Sequence, residues 1–298
     1  MTEQTPRPLL GPIHCAILIT RHLGATVDAY EQHLGLHLTR RHAIDPQAAA
    51  ALGHPELSGC PAAMLAGGSG REWLLAIEYD NAVERNALRS HGWLAMEVLV
   101  DDVDELANSL DGSPFEVLRP PADLDVSDRI RACQARGPSG EILYLTQVKG
   151  PVTPFELPTC SARVDHLFIA VLSTAHRDRS MEQFEALAGN EGLRFETKIT
   201  VVNQALGLPM EERHPVGTVQ LQSASLIEID EIAQATAAPH DLSLGVFSMV
   251  FEYEGEPPSD AVYLRGGIFG KRYLLAHRGA GGETTALIYR SATDVMTQ

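Results

Sequence analysis

The run Ile13-His14-Cys15-Ala16-Ile17-Leu18-Ile19 returns about 150 positions later as Val164-Asp165-His166-Leu167-Phe168-Ile169-Ala170-Val171. Continuous apolar runs of this length are typical of buried strands. After each run the chain passes through a helical stretch to an Ala-Leu-Gly-x-Pro segment, at 51–55 and at 205–209. The same rare features thus recur in the same order, which predicts an internal duplication.

Each copy ends on an apolar run that contains a glutamate, in Ile77-Glu78-Tyr79-Asp80 and in Ile227-Glu228-Ile229-Asp230. Burying an unpaired carboxylate in such a strand is costly, so we expect a partner to compensate each one. We therefore predict that His14 and Glu78 lie on adjacent strands and point into one concavity. His166 and Glu228 are predicted to do the same in the second copy.

Four units share a plan of strand, helix and further strands, at 12–80, 91–148, 164–231 and 245–290. The middle of the fourth unit is rich in Gly and Pro, which does not favour a helix. Between the second and third units, residues 149–163 contain three prolines and little periodicity, which predicts a linker. We accordingly divide the chain into a tail at 1–11, a first domain at 12–148 and a second domain at 164–298.

Composition indicates an ordinary globular protein. The chain has 298 residues, is 44% hydrophobic and carries a net charge of -16, which disfavours nucleic acids and anionic membrane surfaces as partners. No apolar run has the length of a membrane span and residues 1–12 lack the apolar stretch of a signal peptide, so we expect a cytoplasmic protein. The four cysteines are far apart, which argues against a disulfide framework or a zinc knuckle.

The order of these units resembles the vicinal oxygen chelate superfamily, which includes glyoxalase I, methylmalonyl-CoA epimerase, extradiol dioxygenases and bleomycin-resistance proteins. Three features carry the resemblance: the His14 strand with its helix ending at 33–36, the two Ala-Leu-Gly-x-Pro segments, and the turn and strand at 137–145. The resemblance implies an α+β fold of two domains. Each domain would consist of paired βαβββ modules whose mixed sheet curls into a cup around the ligand.

In such families the metal ligands come from the first and last strands of each module. The resemblance places His14, Glu78, Trp93 and Tyr144 at those positions of the first cup, and His166, Glu228, Val246 and Tyr289 at those of the second. Each cup would then hold one His, one Glu, one Tyr and one apolar residue. Because the family's full ligand set is missing, extradiol dioxygenase chemistry is disfavoured. One divalent metal in a cup, whether Fe, Mn, Zn or Mg, is left open.

The same residue types also form an acid–base set. Burial raises the pKa of a glutamate and so suits it to accept a proton near neutral pH, while a tyrosine hydroxyl polarises a carbonyl. This interpretation makes His14, Glu78 and Tyr144 the candidate catalytic residues. A purely structural interpretation stays open, in which each His–Glu pair is a hydrogen bond within the core and both tyrosines are core aromatics.

A polar connection at 119–131 leads into a strand and, in modules of this kind, borders the mouth of the cup. We predict that Ser127, Asp128, Arg131 and Gln134 contact the substrate together with Trp93. The connection resembles a signature of glyoxalase-like proteins from bacterial catabolic clusters. Because the fourth unit is short, we favour the cup of His14 and Glu78 as the working site.

The expected function is that of a glyoxalase-like enzyme, a lyase or isomerase acting by proton transfer or metal-assisted enolisation. Its substrate would be an oxygenated small molecule, and whether that molecule is aromatic is left open. Three alternatives stay open: a non-catalytic protein that sequesters a small molecule as bleomycin-resistance proteins do, a divergent ring-cleaving dioxygenase, and a structural subunit with two inactive cups. Whether the chain forms a homodimer is also left open.

Overall fold

The computed structural model describes residues 8–125 and 127–289. Its strands are β1 Leu10–Thr20, β2 His37–Ala43, β3 Pro61–Ala66, β4 Glu72–Glu78, β5 Gly92–Val100, β6 Glu116–Leu124, β7 Ser127–Arg136, β8 Ile142–Val148, β9 Val164–Thr174, β10 Leu193–Lys198, β11 Arg213–Gln220, β12 Leu226–Glu231, β13 Gly245–Tyr253, β14 Val262–Arg265, β15 Lys271–Arg278 and β16 Thr284–Tyr289. The α-helices are α1 Leu23–Leu34, α2 Pro46–Ala51, α3 Val103–Ser109, α4 Arg177–Ala188 and α5 Thr200–Leu206. Each of the four predicted units thus contributes four strands, and we number the units modules 1 to 4.

The sixteen strands form two mixed sheets of eight strands each. One sheet runs in the order β14-β15-β16-β13-β1-β4-β3-β2, and the other in the order β10-β11-β12-β9-β5-β8-β7-β6. Within a module, the first strand pairs in parallel with the last, as β1 does with β4 and β9 with β12. The predicted α+β fold of paired modules with curled mixed sheets is confirmed.

The expected partners within each sheet were wrong. We predicted that modules 1 and 2 share one cup and that modules 3 and 4 share the other. Instead β1 pairs antiparallel with β13, so modules 1 and 4 form one sheet, and β5 pairs antiparallel with β9, so modules 2 and 3 form the other. An alternating strand pattern specifies which face is buried but does not specify which of several similar edges pairs with which. We name these the 1/4 sheet and the 2/3 sheet.

The two sheets pack against each other through the faces that carry α1, α3 and α4. Trp93, Phe184 and Phe251 meet there with ring centroids 6.0–6.5 Å apart. The Trp93 indole donates a hydrogen bond of 2.8 Å to the carbonyl oxygen of Thr284. Trp93 therefore contacts both sheets in the core that they share. This core lies on the face of each sheet opposite its concave face.

The helices are short, the longest described ones having 12 residues. Both of these end at a glycine in the left-handed region, Gly35 with φ 67° and Gly189 with φ 73°. Between β13 and β14 the chain has no helix, as the Gly- and Pro-rich sequence predicted. No helix in the described part of the chain combines the length and hydropathy that crossing a membrane requires.

Candidate active site

The concave face of the 1/4 sheet is filled by its own side chains and by α2. Leu75 and Ile77 from module 1 meet Val250 and Ile288 from module 4 there, and all four are buried. The loop residue Phe269, which is also buried, belongs to the same cluster. This cup is therefore a packed hydrophobic core.

The concave face of the 2/3 sheet instead encloses a cavity of about 160 Å³. A cavity of about 150 Å³ lined by apolar side chains suffices to hold a benzene ring. Residues 199–201 at the start of α5 cover the cavity from one side, and Phe155 and Leu157 of the linker cover it from another. The remaining lining consists of Glu97, Leu124, Asp125, Ile130, Ala132, Gln134, Tyr144, Thr146, Val148, Phe168, Ile169, Phe195, Thr197, Lys198, Thr218, Leu226 and Glu228.

Two glutamates from different modules line this cavity, Glu97 from β5 and Glu228 from β12. Burial raises the pKa of Glu97 to about 8, with a further contribution from the nearby Glu228 carboxylate and a small opposing effect from the Thr146 hydroxyl. Burial likewise raises the pKa of Glu228 to about 7. Two interacting carboxyls in such surroundings release their protons one after the other, near neutral pH.

A third carboxyl, that of Asp230, lies behind Glu228 on the same face of β12, because side chains two positions apart on a strand point the same way. Burial raises the pKa of Asp230 well above its usual value, and the carboxylates of Glu228 and Glu97 raise it further. Among the described residues neither of its oxygens has a hydrogen-bond partner. A buried carboxyl without a described partner therefore lies directly behind the cavity lining.

Tyr144 of β8 also lines the cavity and lies next to Glu97 in the parallel pairing of β5 and β8. We call Glu97, Tyr144 and Glu228 the floor of the cavity. Its hydroxyl is buried and has no partner among the described residues. Burial raises the pKa of Tyr144 well above 10, and the carboxylates of Asp230, Glu228 and Glu97 add to this effect. The phenol therefore keeps its proton and can donate it in a hydrogen bond to a bound molecule.

Among the described residues, Lys198 is the only lysine in the cavity lining, and it lies at the mouth of the cavity. Lys198 Nζ lies 3.0 Å from Asp125 Oδ2 and 3.1 Å from Glu211 Oε2. The pair with Asp125 joins the turn after β6, in module 2, to module 3, whereas Glu211 belongs to module 3 itself. The charge of Lys198 is thus already balanced by two carboxylates at the entrance.

Three of the predicted site residues meet in this cavity: Tyr144, Gln134 and Glu228. Gln134 lies opposite Tyr144 in the pairing of β7 with β8. His166, the predicted partner of Glu228, does not line the cavity. Its Nδ1 lies 2.7 Å from Asp165 Oδ1, and its Nε2 is buried without a partner among the described residues.

The Asp165 carboxylate fixes the orientation of the His166 ring. Although burial opposes it, hydrogen bonds from Ser69, His166 and Ser161 lower the pKa of Asp165 to about 2. An ionised carboxylate accepts, so Nδ1 of His166 is the donor. Burial lowers the pKa of His166, which favours the neutral ring. His166 is therefore held in a network that links the two sheets, away from the cavity.

The structure separates His14 from Glu78. His14 lies at the rim of the 1/4 sheet, with Nδ1 3.5 Å from Glu252 Oε1. Glu78 pairs in register with Thr20, six residues along β1 from His14, a distance of about 20 Å at the rise of a strand. The Glu78 Oε2 accepts a hydrogen bond of 2.8 Å from the backbone N–H of Leu23 at the start of α1. The prediction that this pair shares one concavity was wrong.

The counterpart of Glu78 in module 3 is Glu231, because Glu231 pairs with Thr174 and its Oε2 accepts from the N–H of Arg177 at 2.8 Å. Both glutamates cap the helix of their module. Tyr289 was expected to correspond to Tyr144, but it is buried on the opposite face of the 1/4 sheet, in the core between the two sheets. Its ring is 5.5 Å from that of Tyr253.

The remaining predicted contacts lie outside the cavity lining. Arg131 faces the surface and pairs with Asp104 at 2.7 Å and Asp123 at 3.4 Å. The Ser127 hydroxyl accepts a hydrogen bond from the N–H of Arg129, and Asp128 is exposed. Alternation along β7 explains the difference, since Ile130, Ala132 and Gln134 point into the cup while Arg131 points out.

Glu97, Asp230, Thr146 and Thr218 were missed by the sequence interpretation. The signal for Glu97 was present, since it is the single charged residue of the run 92–100, all of which is buried. Glu97 meets the criterion by which Glu78 was predicted, a glutamate within an apolar strand, and its strand is buried throughout. Asp230 belongs to the same strand as Glu228, but the sequence interpretation assigned it no role.

The expected divalent metal does not fit the observed donors. Neither predicted pair, His14 with Glu78 or His166 with Glu228, brings its two side chains together. Within residues 8–125 and 127–289, no three His, Cys, Asp or Glu side chains are arranged to hold a metal ion. We therefore derive no step of chemistry through a metal.

Comparisons with known proteins agree with this architecture. The family model of the glyoxalase/bleomycin resistance protein/dioxygenase superfamily matches residues 11–143. Glyoxalase I from Zea mays has the same fold, with a TM-score of 0.62 at 13% identity over 93% of this chain and 92% of that one. A putative dioxygenase from Bacillus subtilis subsp. subtilis str. 168 gives a TM-score of 0.61 at 12% identity over 96% of this chain and 86% of that one. No curated protein matches the chain in sequence.

Proposed function

We propose that this chain, which belongs to the glyoxalase/bleomycin resistance protein/dioxygenase superfamily through residues 11–143, is a small-molecule enzyme that transfers protons in the cavity of the 2/3 sheet. One observation carries the proposal: the unpartnered hydroxyl of Tyr144 and the carboxyls of Glu97 and Glu228 share a cavity with otherwise mostly apolar walls. The cup of modules 1 and 2 that the sequence favoured does not form, and the concave face to which module 1 contributes is a packed core. The proposed site therefore lies in modules 2 and 3.

The substrate would be a carbonyl compound about the size of one ring. The Tyr144 hydroxyl would donate a hydrogen bond to the carbonyl oxygen, and ionised Glu228 would take the proton from the adjacent carbon. The electron pair of that C–H bond moves into the enolate, whose oxygen Tyr144 stabilises. Delivery of a proton to the opposite face of the same carbon, with Glu97 as the donor, would give epimerisation. Return of the proton from Glu228 to another carbon would give isomerisation.

The acidity of the two glutamates suits this cycle. A general base works best when its pKa lies near the operating pH, and burial brings the pKa of Glu228 to about 7. The second carboxyl, with a pKa of about 8, still holds its proton when the first has ionised. One carboxyl of this interacting pair would therefore act as the base, a role that we assign to Glu228, while the other stays protonated beside it.

A sequestering protein is the second candidate. The cover formed by Phe155, Leu157 and the start of α5 would retain an apolar ligand whether or not a proton moves. Apolar walls with few polar groups are general to binding sites and favour both functions. An enzyme would convert its bound substrate, whereas a sequestering protein would only bind it.

The test is proton exchange in D₂O, followed by ¹H NMR on a panel of one-ring ketones and hydroxyketones. We expect the wild type to exchange α-protons of at least one compound, and Glu228→Gln and Tyr144→Phe to slow this exchange at least 100-fold. The matched control is Glu283→Gln, which removes another buried glutamate with a pKa of about 7 that lies outside the cavity.

Exchange that persists in Glu228→Gln and Tyr144→Phe would contradict the proposal. Binding of the panel to the wild type without exchange would favour the sequestering protein.

A further inference from the structure

The cavity of the 2/3 sheet is lined by more acidic than basic residues. Glu97 and Glu228 line it and Asp230 lies directly behind them, whereas Lys198 is its only basic lining residue. Lys198 is at the mouth and is already paired with Asp125 and Glu211. Within the described residues, the protein thus places two carboxyls in the inner lining of the cavity and a third behind them, with no positive charge opposite them.

The groups at the floor of the cavity and behind it also offer more hydrogen-bond acceptors than donors. Carboxyl oxygens can accept several bonds each, and both oxygens of Asp230 lack a donor among the described residues. Tyr144 supplies one hydroxyl, which is itself buried and unpartnered. Asp230 does not line the cavity, so a ligand would meet the carboxyls of Glu97 and Glu228 and the Tyr144 hydroxyl. A ligand that donates hydrogen bonds to these buried groups would be stabilised by them.

The walls of the cavity are aromatic. Phe155 comes from the linker, Phe168 from β9 and Phe195 from β10. Aromatic faces attract cations, most strongly where water is excluded, and they also accommodate a flat apolar body. A ligand with a positively charged end and a single-ring body would therefore meet complementary surfaces throughout the cavity.

We propose that the ligand of this cavity carries a protonated amine at its buried end, bound by the carboxyls of Glu97 and Glu228, with an apolar body of about one ring against the phenylalanines. The inference rests on the proposed function, because it takes the same cavity as the substrate site. An ammonium group offers three donors and a full positive charge. A ligand carboxylate would be repelled by the three acids, and a neutral hydroxyl would supply one donor only.

Proton release should accompany the binding of such an amine. The groups that face Glu228 are Glu97 on β5, Tyr144 on β8 and Asp230 on its own strand, with Thr218 on β11 adding a hydroxyl. In the empty cavity these acids favour their protonated forms. The arriving ammonium stabilises a carboxylate, so a proton leaves to the solvent.

The experiment compares four probes of one shape: benzylamine, benzyl alcohol, benzoate and toluene. Isothermal titration at pH 7 should show benzylamine binding at least 10-fold more tightly than benzyl alcohol, with benzoate weakest. In buffers of different ionisation enthalpy, benzylamine should release a proton and benzyl alcohol should not. Glu228→Gln and, separately, Glu97→Gln should each reduce the ratio of benzylamine affinity to benzyl alcohol affinity at least 10-fold.

Two control variants locate the binding. Ala132→Leu, which fills the cavity from β7, should block both benzylamine and benzyl alcohol. Glu283→Gln should change neither. Circular dichroism and thermal melting of each variant identify any that fail to fold, and having two carboxyl variants keeps the test decisive if one of them does.

Three outcomes would overturn the inference. Equal affinity for benzylamine and benzyl alcohol, both blocked by Ala132→Leu, would remove the charge preference and leave the proposed site intact. Amine binding that survives Ala132→Leu, or no binding by any probe, would remove the cavity as the amine site. Stabilisation by micromolar Mg²⁺, Mn²⁺ or Zn²⁺ that Glu228→Gln abolishes would assign the carboxyls to a metal instead.

Discussion

Glu228 of module 3 and Leu75 of module 1 occupy the same position in their repeats. Leu75 lies beside Ile17 in the parallel pairing of β4 with β1, and Glu228 lies beside Val171 in the equivalent pairing of β12 with β9. Leu75 contributes to the packed core of the 1/4 sheet, whereas Glu228 faces the cavity of the 2/3 sheet. The duplicated framework thus carries a core residue in one copy and a candidate catalytic residue in the other.

Exchanging the residue types at these two positions should have opposite effects on stability. Glu228→Leu removes a carboxyl that burial penalises, so we expect the free energy of unfolding to rise by about 1–3 kcal/mol at pH 8. Leu75→Glu places a carboxylate in a core that has no space for it and should lower the same quantity by more than about 3 kcal/mol. Urea unfolding measures both. A loss of stability in Glu228→Leu would show that the carboxyl supports the fold.

Two tyrosines provide a matched test of the unpartnered phenol. Tyr144→Phe removes a buried hydroxyl that bonds to no described residue, so we expect unchanged stability or a gain of up to about 1 kcal/mol, with loss of proton transfer. Tyr30→Phe removes a hydroxyl that donates to Glu141 Oε1 at 2.8 Å, and should cost about 1–3 kcal/mol. Thermal melting of both variants makes the comparison. Equal losses would mean that the Tyr144 hydroxyl has a partner in the folded protein.

The pH dependence of stability should reveal the buried acids. Because the folded-state pKa values of Glu97 and Glu228 lie above the ordinary glutamate value of 4.5, the folded protein binds more protons than the unfolded chain. Their contribution is intact below about pH 4.5 and is lost as the pH rises through about 7 to 8. The stability of wild type relative to Glu97→Gln should therefore fall between pH 5 and pH 8.5.

The measurement is the melting temperature of wild type and Glu97→Gln across that range, where 1 kcal/mol corresponds to roughly 2–4 °C. Glu211→Gln, which changes a carboxylate that is 84% exposed, serves as the control and should follow the wild type. Parallel curves for wild type and Glu97→Gln would contradict a raised pKa at this position.

Glu78 should behave as a helix cap. Glu78→Ala removes the acceptor for the Leu23 N–H and the negative charge at the start of α1, which should cost about 1 kcal/mol and leave proton transfer by the folded enzyme unchanged. Glu231→Ala should cost a similar amount, because Glu231 caps α4 through Arg177 in the same way. Melting curves and the exchange assay test this together. Loss of exchange in folded Glu78→Ala would return this residue to the mechanism.

Much of the fold was predictable because it depends on local patterns. Apolar runs, turn residues and the repetition of both identify four modules, and hydrogen bonding within a module follows from its own sequence. The same patterns pointed to Glu228, Tyr144 and Gln134. A charged residue within an apolar strand is informative, because the fold must compensate it. Applied to every such strand, this criterion would also have found Glu97.

The sequence could not give the register between strands. Around His14 the pairing of β1 with β13 skips one residue, passing from Ile13 to Cys15, and the pairing of β9 with β5 skips Phe168 in the same way, passing from Leu167 to Ile169. His14 therefore corresponds to Phe168 and not to His166. Such bulges change which face a side chain takes, so matching the two histidines by sequence alone paired the wrong positions.

The sequence by itself thus determined the modules, their duplication and the presence of acids in strands that must be buried. Only the tertiary structure decided that module 1 joins module 4 and that module 2 joins module 3. That choice brings Glu97 and Tyr144 of one module to Glu228 of another, and it fills the other cup with apolar side chains. The reason is physical: alternation fixes which face of a strand is buried, whereas edge pairing depends on the packing of the whole chain.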